Sequence, residues 1–578
     1  MADYSHLIKY MVLFSQERLE KYIGEDLLDQ LVIEWEDTAN RAITKSDLAD
    51  MIVALSGPSI LKDSEFRRDI MSHMKESEVD YIYSELPEKK QNPSATMEEK
   101  IEVLSNLSWN ASPANNRLLA YLNIGQEIFA KKTVDETVLM NHQSYPRFYE
   151  LLDYQYVIKQ RILNELNKEN ELTRMLVHMP TGTGKTKTMM HTLVHHYTFD
   201  LKQEGLIIWL AHTTELLEQA YATFNQVWTY LGDGTVTSYR LWGNRSIKDE
   251  MELNGVMFCG IQKLQSIRQS QPQVFERIVN SARLIVFDEA HKAAASETRL
   301  LIEDLMIRKA GMKDRSLVGL TATPGRTTLT SDENKLLTNM FERRIIGIDI
   351  DTVTKMNLSD IDYANTESST NVIAYFQRMK ILSRLRKEQL TYSEQFSPEQ
   401  LAQIKVSMTG NGYSDFSSAA LEIIGKNRSR NKAIMRKLRE LASDEVPTIV
   451  FACSVAHAKL LSYMLTLEKI PNALVVGEME PAERAEAIAA FKDRNNPMNI
   501  LINYEVLTTG FDSTNIKCVF ITRPTQSIVL YSQMLGRGLR GPKMGGNSEC
   551  LLVDIKDNLG KYDADMAFGH FDAYWNNN

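Results

Sequence analysis

Apolar positions three and four apart dominate the first ~85 residues, as in Leu7, Ile8, Met11, Val12 and Phe14 and again in Leu48, Met51, Ile52 and Leu55. That spacing lines one face of a helix, so an all-helical N-terminal region is predicted. Gly57-Pro58 interrupts it, and Pro87 to Thr96 reads as a linker before shorter helical patterns fill 97–140. From about residue 146 the pattern changes. Short, continuous apolar runs appear at Met175–Val177, Leu206–Leu210, Leu284–Phe287, Thr448–Phe451, Ile500–Ile502 and Val519–Ile521, separated by helical stretches. Strands buried on both faces read this way, and their alternation with helices predicts α/β lobes built on parallel sheets. Residues 365–446 are mostly helical in pattern, and no internal repeat or low-complexity tract is present.

At 578 residues the chain exceeds one hydrophobic core, and its length suits roughly three or four domains. No apolar run reaches the ~18 residues of a membrane span, so no membrane association is expected. The four cysteines, Cys259, Cys453, Cys518 and Cys550, form no CxxC pair. They therefore argue against a zinc ribbon or disulfide framework and for a reduced, cytoplasmic setting. The net charge of −9 is concentrated: residues 1–150 carry about −10 and the remainder about +1. A near-neutral body can still hold a local basic groove, because charges act over a Debye length of about 8–10 Å.

The segment Met179-Pro180-Thr181-Gly182-Thr183-Gly184-Lys185-Thr186 joins the Met175–Val177 run to a helical pattern. It reads as a phosphate-binding loop. Its glycines let backbone N–H groups turn onto phosphate oxygens at a helix N-terminus, Lys185 reaches the terminal phosphates, and the Thr186 hydroxyl suits Mg²⁺. About 100 residues on, Asp288-Glu289-Ala290-His291 leaves a buried apolar run. Asp288 is the second Mg²⁺ candidate and Glu289 the candidate general base for water. Arg537 and Arg540 share one face of a helical pattern in Gln533–Arg540, and facing a triphosphate they would act as arginine fingers. ATP and Mg²⁺ are therefore the expected substrate and ion.

In this order the segments resemble the superfamily-two helicases and translocases, nearest the branch with the XPB-like repair helicases and the motor subunits of type I and type III restriction enzymes. The resemblance implies two RecA-like parallel-sheet lobes in tandem. The expected division is a helical domain 1–145, a first lobe 146–345, a helical segment 346–446 and a second lobe 447–578. Leu151–Gln155 resembles the segment whose glutamine, here Gln155, reads the adenine edge. Thr181, Gly182, Thr183, Gly184, Lys185 and Thr186 would hold the nucleotide, joined by Gly510 and Asp512 from Leu507–Asp512. His291, Thr321 and Thr323 of Leu320–Pro324, and Gln533 would couple hydrolysis to lobe movement. Thr213, in a strand-gripping segment with His212 and Thr214 where relatives commonly carry proline and arginine, would contact nucleic acid. So would Gln262 and Thr508. Arg523-Pro524-Thr525 fits this branch and favours DNA over RNA as the nucleic-acid partner.

Two basic clusters remain. Residues 425–439 hold seven basic and no acidic side chains, and Arg428, Arg430 and Lys432 are the candidate phosphate contacts there. Arg378, Lys380, Arg384, Arg386 and Lys387 form the second, read as basic residues on a helix. Both also suit solvated helix faces. His191, His195 and His196 have zinc-like spacing but no completing ligand, and read as a polar helix face. No nuclease motif accompanies the motor segments, so any cleavage is expected from a protein partner held by the N-terminal domain, a nuclease being the kind that would supply it. Phage defence, restriction and repair all suit such a chain. The alternatives are an ATPase that senses nucleic acid and recruits an effector without unwinding, and an RNA helicase.

Overall fold

The computed structural model describes residues 4–39, 42–125, 128–129, 139–143, 150–168, 173–247, 253–293, 295–306, 315–324, 331–349, 372–392, 396–409, 415–508, 510–511, 513–525 and 527–555. The chain forms two compact units, one of residues 1–135, 391–401 and 418–506, the other of 136–390, 402–417 and 507–578. Together they carry two parallel-sheet α/β lobes and a helical N-terminal region, the tandem architecture expected from the sequence.

The strands are β1 Leu139–Gln143, β2 Arg174–His178, β3 Leu206–Ala211, β4 Thr235–Leu241, β5 Gly255–Gly260, β6 Ala282–Asp288, β7 Ser316–Thr321, β8 Ile345–Ile346, β9 Arg384–Leu390, β10 Thr448–Phe451, β11 Asn472–Val475, β12 Ile500–Asn503, β13 Cys518–Ile521 and β14 Glu549–Ile555. In the second unit β1 to β8 form one sheet in the order β1-β4-β5-β3-β6-β7-β2-β8. Among the described residues, only the β1–β4 pair of this sheet is antiparallel. The central strand β3 is buried along its whole length, which is why its sequence, Leu-Ile-Ile-Trp-Leu-Ala, shows no alternation. The same unit holds the parallel set β13-β14-β9.

The first unit contains the parallel set β11-β12-β10. It also contains the N-terminal helices, which dock on it: the Glu25–Ala39 and Lys45–Ser56 helices pack on the Val455–Leu467 helix. Lys469 pairs with Asp50 at 2.6 Å and Lys62 with Glu480 at 2.8 Å. Such exposed pairs contribute about 0–1 kcal/mol each, so apolar packing carries the docking. Within the N-terminal region, buried Arg67 donates to the carbonyls of Leu61, Lys62, Ser105 and Leu107 and stacks on Trp109, pinning the 61–62 and 105–109 segments together. Capping boxes at Thr44/Asp47 and Thr96/Glu99 set two helix starts, the latter where the linker reading ended.

Three stretches differ from the sequence pattern, the first being that of Arg537 and Arg540, which lie beyond the end of the Ile528–Leu535 helix and do not share a helix face. Residues 384–390, read as part of a basic helix, are β9, an outermost strand among those described. Residues 139–143, read within helical patterns, form β1. Among the described residues no helix is long and apolar enough to cross a membrane.

Candidate active site

The candidate phosphate-binding loop leaves the C-terminal end of β2, between its parallel neighbours β7 and β8. Gly182 and Gly184 adopt φ of +86° and +80°, left-handed conformations that glycine enters without a Cβ penalty. Gly184 caps the Lys185–His195 helix, whose first N–H groups lack helical acceptors and suit an anion. Two side chains of the Asp153–Leu166 helix hold the loop from behind. Tyr154 Oη donates to the Thr183 carbonyl at 2.5 Å, and Gln155 Nε2 donates to the same oxygen at 3.0 Å. Gln155 Oε1 accepts from Leu152 N–H, so its amide retains one N–H and one lone pair for a further partner. Thr183 Oγ1 closes the loop by donating to the Pro180 carbonyl at 2.7 Å. Thr186 lies one residue into the helix and is partly exposed.

The acidic pair ends β6, with Glu289 in a left-handed conformation (φ +54°) that turns it out of the strand. Lys185 Nζ stands 3.8 Å from Glu289 Oε1, and His291 Nδ1 3.3 Å from Glu289 Oε2. Burial pushes the Asp288 carboxyl up to about 6, against the pull of Lys185 and with the push of Glu289. Burial also acts upward on Glu289, but Lys185, His291 and Lys292 outweigh it and hold this carboxyl below its ordinary range. The two adjacent acids are thus driven apart, one kept ionised and the other short of positive charge. Asp288 ends β6 and Thr186 follows β2, two places apart in the sheet with β7 between them; a buried carboxylate and a hydroxyl are hard-oxygen donors of the kind Mg²⁺ takes.

His291 connects this pair to two other elements. Its Nδ1 is 3.4 Å from Thr321 Oγ1, and Thr321 Oγ1 donates to the Thr323 carbonyl at 2.7 Å. Gln533 Nε2 is 3.5 Å from His291 Nε2, where it can donate if the ring proton sits on Nδ1 facing Glu289. Burial lowers the His291 pKa against the upward pull of Glu289, which favours the neutral ring.

The segment 510–541 lies in the same compact unit and reaches the loop. Gly536 packs so closely on Thr181 that a Cβ would overlap it, and a Cβ on Gly182 would stand 3.7 Å from Arg540 Cγ. Gly510 backs onto Glu215 and Leu216. Arg537 is buried and donates to the carbonyls of Gln533 and Phe511; Arg540 Nη1 donates to the Ser513 carbonyl at 3.1 Å. Asp512 lies outside the described residues.

The expected nucleic-acid contacts fall in several places. Thr213 caps the Thr214–Leu231 helix by accepting from Leu216 N–H, Gln262 is exposed at the start of the Ile261–Ser270 helix, and Thr508 is buried. In the Arg428–Ser443 helix, Lys432 is exposed and Arg428 partly so. Arg430 corrects the sequence reading: it is fully buried, donating from Nη1 to Cys453 Sγ at 3.6 Å, and presents no surface to a strand. Lys437 is buried likewise. The zinc-like histidines do not form a polar face, since His191 and His196 are buried and His196 Nδ1 pairs with Asp200 at 2.8 Å. Among the described residues no three His, Cys, Asp or Glu side chains gather as a metal cluster. Sequence reasoning missed Asp415, which accepts from Thr525 Oγ1 at 3.0 Å and stands 3.6 Å from Arg523. A lone aspartate 110 residues before its partner carries no sequence signal. It also missed the support that Tyr154 gives the loop.

Two family profiles match the chain: "Type III restriction enzyme, res subunit" over residues 148–326 and "Helicase conserved C-terminal domain" over residues 430–541. IRC3 of Saccharomyces cerevisiae, assigned as an ATP-dependent helicase, is 24% identical over 68% of this chain and 49% of its own length. Its Schizosaccharomyces pombe counterpart, assigned as a mitochondrial ATP-dependent helicase, is 25% identical over 67% of this chain and 54% of its own. The chain thus spans about half the length of these curated relatives. A solved structure of the helicase MrfA bound to DNA superposes with a TM-score of 0.48 at 15% identity, covering 78% of this chain and 55% of that one.

Proposed function

The chain belongs to the superfamily-two helicases, in the restriction-enzyme-like motor branch, and on that premise we propose that it hydrolyses ATP to move along or separate nucleic-acid strands, with DNA the preferred substrate. The carrying observation is the convergence in one compact unit of the Lys185–Glu289 pair, the phosphate loop and the segment bearing Arg537 and Arg540. In this reading the loop amides and Lys185 bind the triphosphate, and Gln155 turns its remaining N–H and lone pair to the adenine edge. Thr186 and Asp288 would hold Mg²⁺, which when bound neutralises charge on the phosphate oxygens. Lys185 exchanges Glu289 for phosphate, which frees the ionised Glu289 to take a proton from the attacking water. Arg537 and Arg540 exchange their backbone carbonyl partners for the developing charge, and His291 with Gln533 reports the state of Glu289 to the second lobe. Arg523 and Thr525 in this branch favour DNA, and the exposed Lys432 and Gln262 suit phosphate contact. The N-terminal helices are the proposed dock for a protein partner, with phage defence, restriction or repair in a reducing cytoplasm as the setting.

The test is ATP turnover with single-stranded, duplex and forked DNA and with RNA, each at two salt concentrations, for the wild type and Glu289→Gln. Stimulation should be strongest with DNA and fall with salt. Glu289→Gln should lower turnover about 10²–10⁴-fold while retaining ATP binding. Undiminished turnover removes Glu289 from its role, and stimulation by RNA alone overturns the DNA preference.

A further inference from the structure

We infer that Phe376 is a positioning residue for the arginine segment: it ties the placement of Arg540 to the conformation of the phosphate loop. The inference rests on the ATP-hydrolysis reading above. Phe376, in the Val372–Arg378 helix, is fully buried, and its ring meets Tyr154 edge to face with centroids 4.8 Å apart. Tyr154 is the same residue whose hydroxyl holds the Thr183 carbonyl of the loop. On its other side the Phe376 carbonyl accepts from Ile381 and Leu382 N–H at 2.9 and 3.1 Å, which sets the turn leading into β9. That turn binds the arginine segment directly. Leu382 forms a backbone bridge with Arg540, Ser383 N–H donates to the Leu539 carbonyl at 2.9 Å, and Gly541 N–H donates to the Ile381 carbonyl at 2.9 Å. Ser383 Oγ donates to the Arg540 carbonyl at 2.6 Å. The Leu382 side chain then returns to the loop, 3.6 Å from where a Cβ on Gly182 would lie.

The path from Thr183 through Tyr154, Phe376 and Leu382 to Arg540 is therefore continuous, and buried as far as Leu382, with both ends at the phosphate site. A nucleotide that reshapes the loop moves the Thr183 carbonyl, and the aromatic pair transmits that to the backbone on which Arg540 is mounted. The ring contacts described for Phe376 are with Tyr154 and Tyr375. Its role is to hold the loop and the arginine relative to each other.

A double-mutant cycle on the full chain tests this, with forked DNA as activator. Kinetics of Phe376→Leu, Arg540→Ala and the double variant are read beside equilibrium binding of a non-hydrolysable ATP analogue. Phe376→Leu should lower kcat about tenfold with analogue affinity changed less than about threefold, the signature of an interaction made only in the transition state. In the Arg540→Ala background the same change should cost less than about twofold, because coupled residues are not additive. Tyr154→Phe, which keeps the ring but loses the bond to Thr183, should weaken analogue binding more than kcat. Phe376→Met serves as the second variant should the leucine form fail to fold. Equal losses of kcat in both backgrounds, or analogue affinity falling in step with kcat, would reduce Phe376 to a packing residue. Amide exchange at Ser383 and Gly541 gives a readout independent of turnover. It should accelerate in Phe376→Leu; unchanged exchange overturns the tie, whereas a chain without any ATPase activity but with accelerated exchange defeats only the ATP-hydrolysis reading.

Discussion

At the scale of single residues, the largest departure from the sequence reading is Arg430. Seven basic side chains without an acidic one read as a phosphate-binding stripe, yet the helical turn that exposes Lys432 carries Arg430 into the interior beside Cys453. The two should separate experimentally. Replacing Lys432 with alanine removes an exposed charge, so it should reduce the salt slope of DNA binding by about one unit and leave stability within about 0.5 kcal/mol. Arg430→Met keeps the volume and removes the buried charge and its donors. It should shift the denaturant midpoint by an amount worth about 1–3 kcal/mol while the salt slope stays at the wild-type value. A reduced salt slope in Arg430→Met would return this arginine to the strand path. The residues proposed for catalysis stand out in the sequence because the chemistry proposed for them demands fixed spacing. Asp288 and Glu289 stand at the end of β6 and Lys185 opens the helix after the loop that follows β2, both strands whose apolar runs announce themselves, whereas Arg430 was misread because composition cannot distinguish the faces of a helix.

Among elements, the same contrast explains which strands could be read. β3, β10, β12 and β13 are buried along their lengths and β6 from Leu284 onward, and each contains an unbroken apolar run. β9, Arg-Leu-Arg-Lys-Glu-Gln-Leu, lies at the outer position of its set with Arg384, Arg386 and Lys387 exposed, and an exposed edge strand carries the charges that discourage further pairing. Such a strand looks like a basic helix until its neighbour β14 is known. The Arg428–Ser443 and Val455–Leu467 helices, by contrast, are joined by a buried polar contact with a measurable consequence. His457 Nδ1 accepts from Cys453 N–H at 3.1 Å and Nε2 faces Asn431 Oδ1 at 3.2 Å. Burial, with Arg430 adding to it, lowers the His457 pKa to about 3. Since an unfolded histidine titrates near 6.5, the unfolded chain holds the extra proton between those values. This contribution to stability is therefore complete above pH ~6.5 and is lost as pH falls towards 3, at up to about 1.4 kcal/mol per pH unit. His457→Gln should flatten that dependence in the amide protection of the Val455–Leu467 helix while lowering protection at pH 7. An unaltered pH slope would show that His457 is not the group that titrates.

For the whole molecule, the apolar pattern suggests four consecutive segments, whereas contacts gather residues 1–135 with 418–506. No local signal marks this, because the joining contacts span more than four hundred residues, as between Asp50 and Lys469. The grouping bears on how a partner could influence the proposed motor: a protein seated on the N-terminal helices would press on the Val455–Leu467 helix directly, without an intervening linker. If these parts form one cooperative body, a core defect in one must weaken the other. Leu48, buried in the Lys45–Ser56 helix, is a suitable place to make it, since Leu→Ala in a core costs about 2–5 kcal/mol. In hydrogen exchange under rising denaturant, Leu48→Ala should lower the protection of the Glu25–Ala39, Lys45–Ser56 and Val455–Leu467 helices together. The amides of β3, β5 and β6, buried in the other unit, should keep their wild-type protection. Were the Val455–Leu467 helix to retain full protection while the N-terminal helices lost theirs, those helices would be an independently folding appendage, and a docked partner would have no direct purchase on the second lobe.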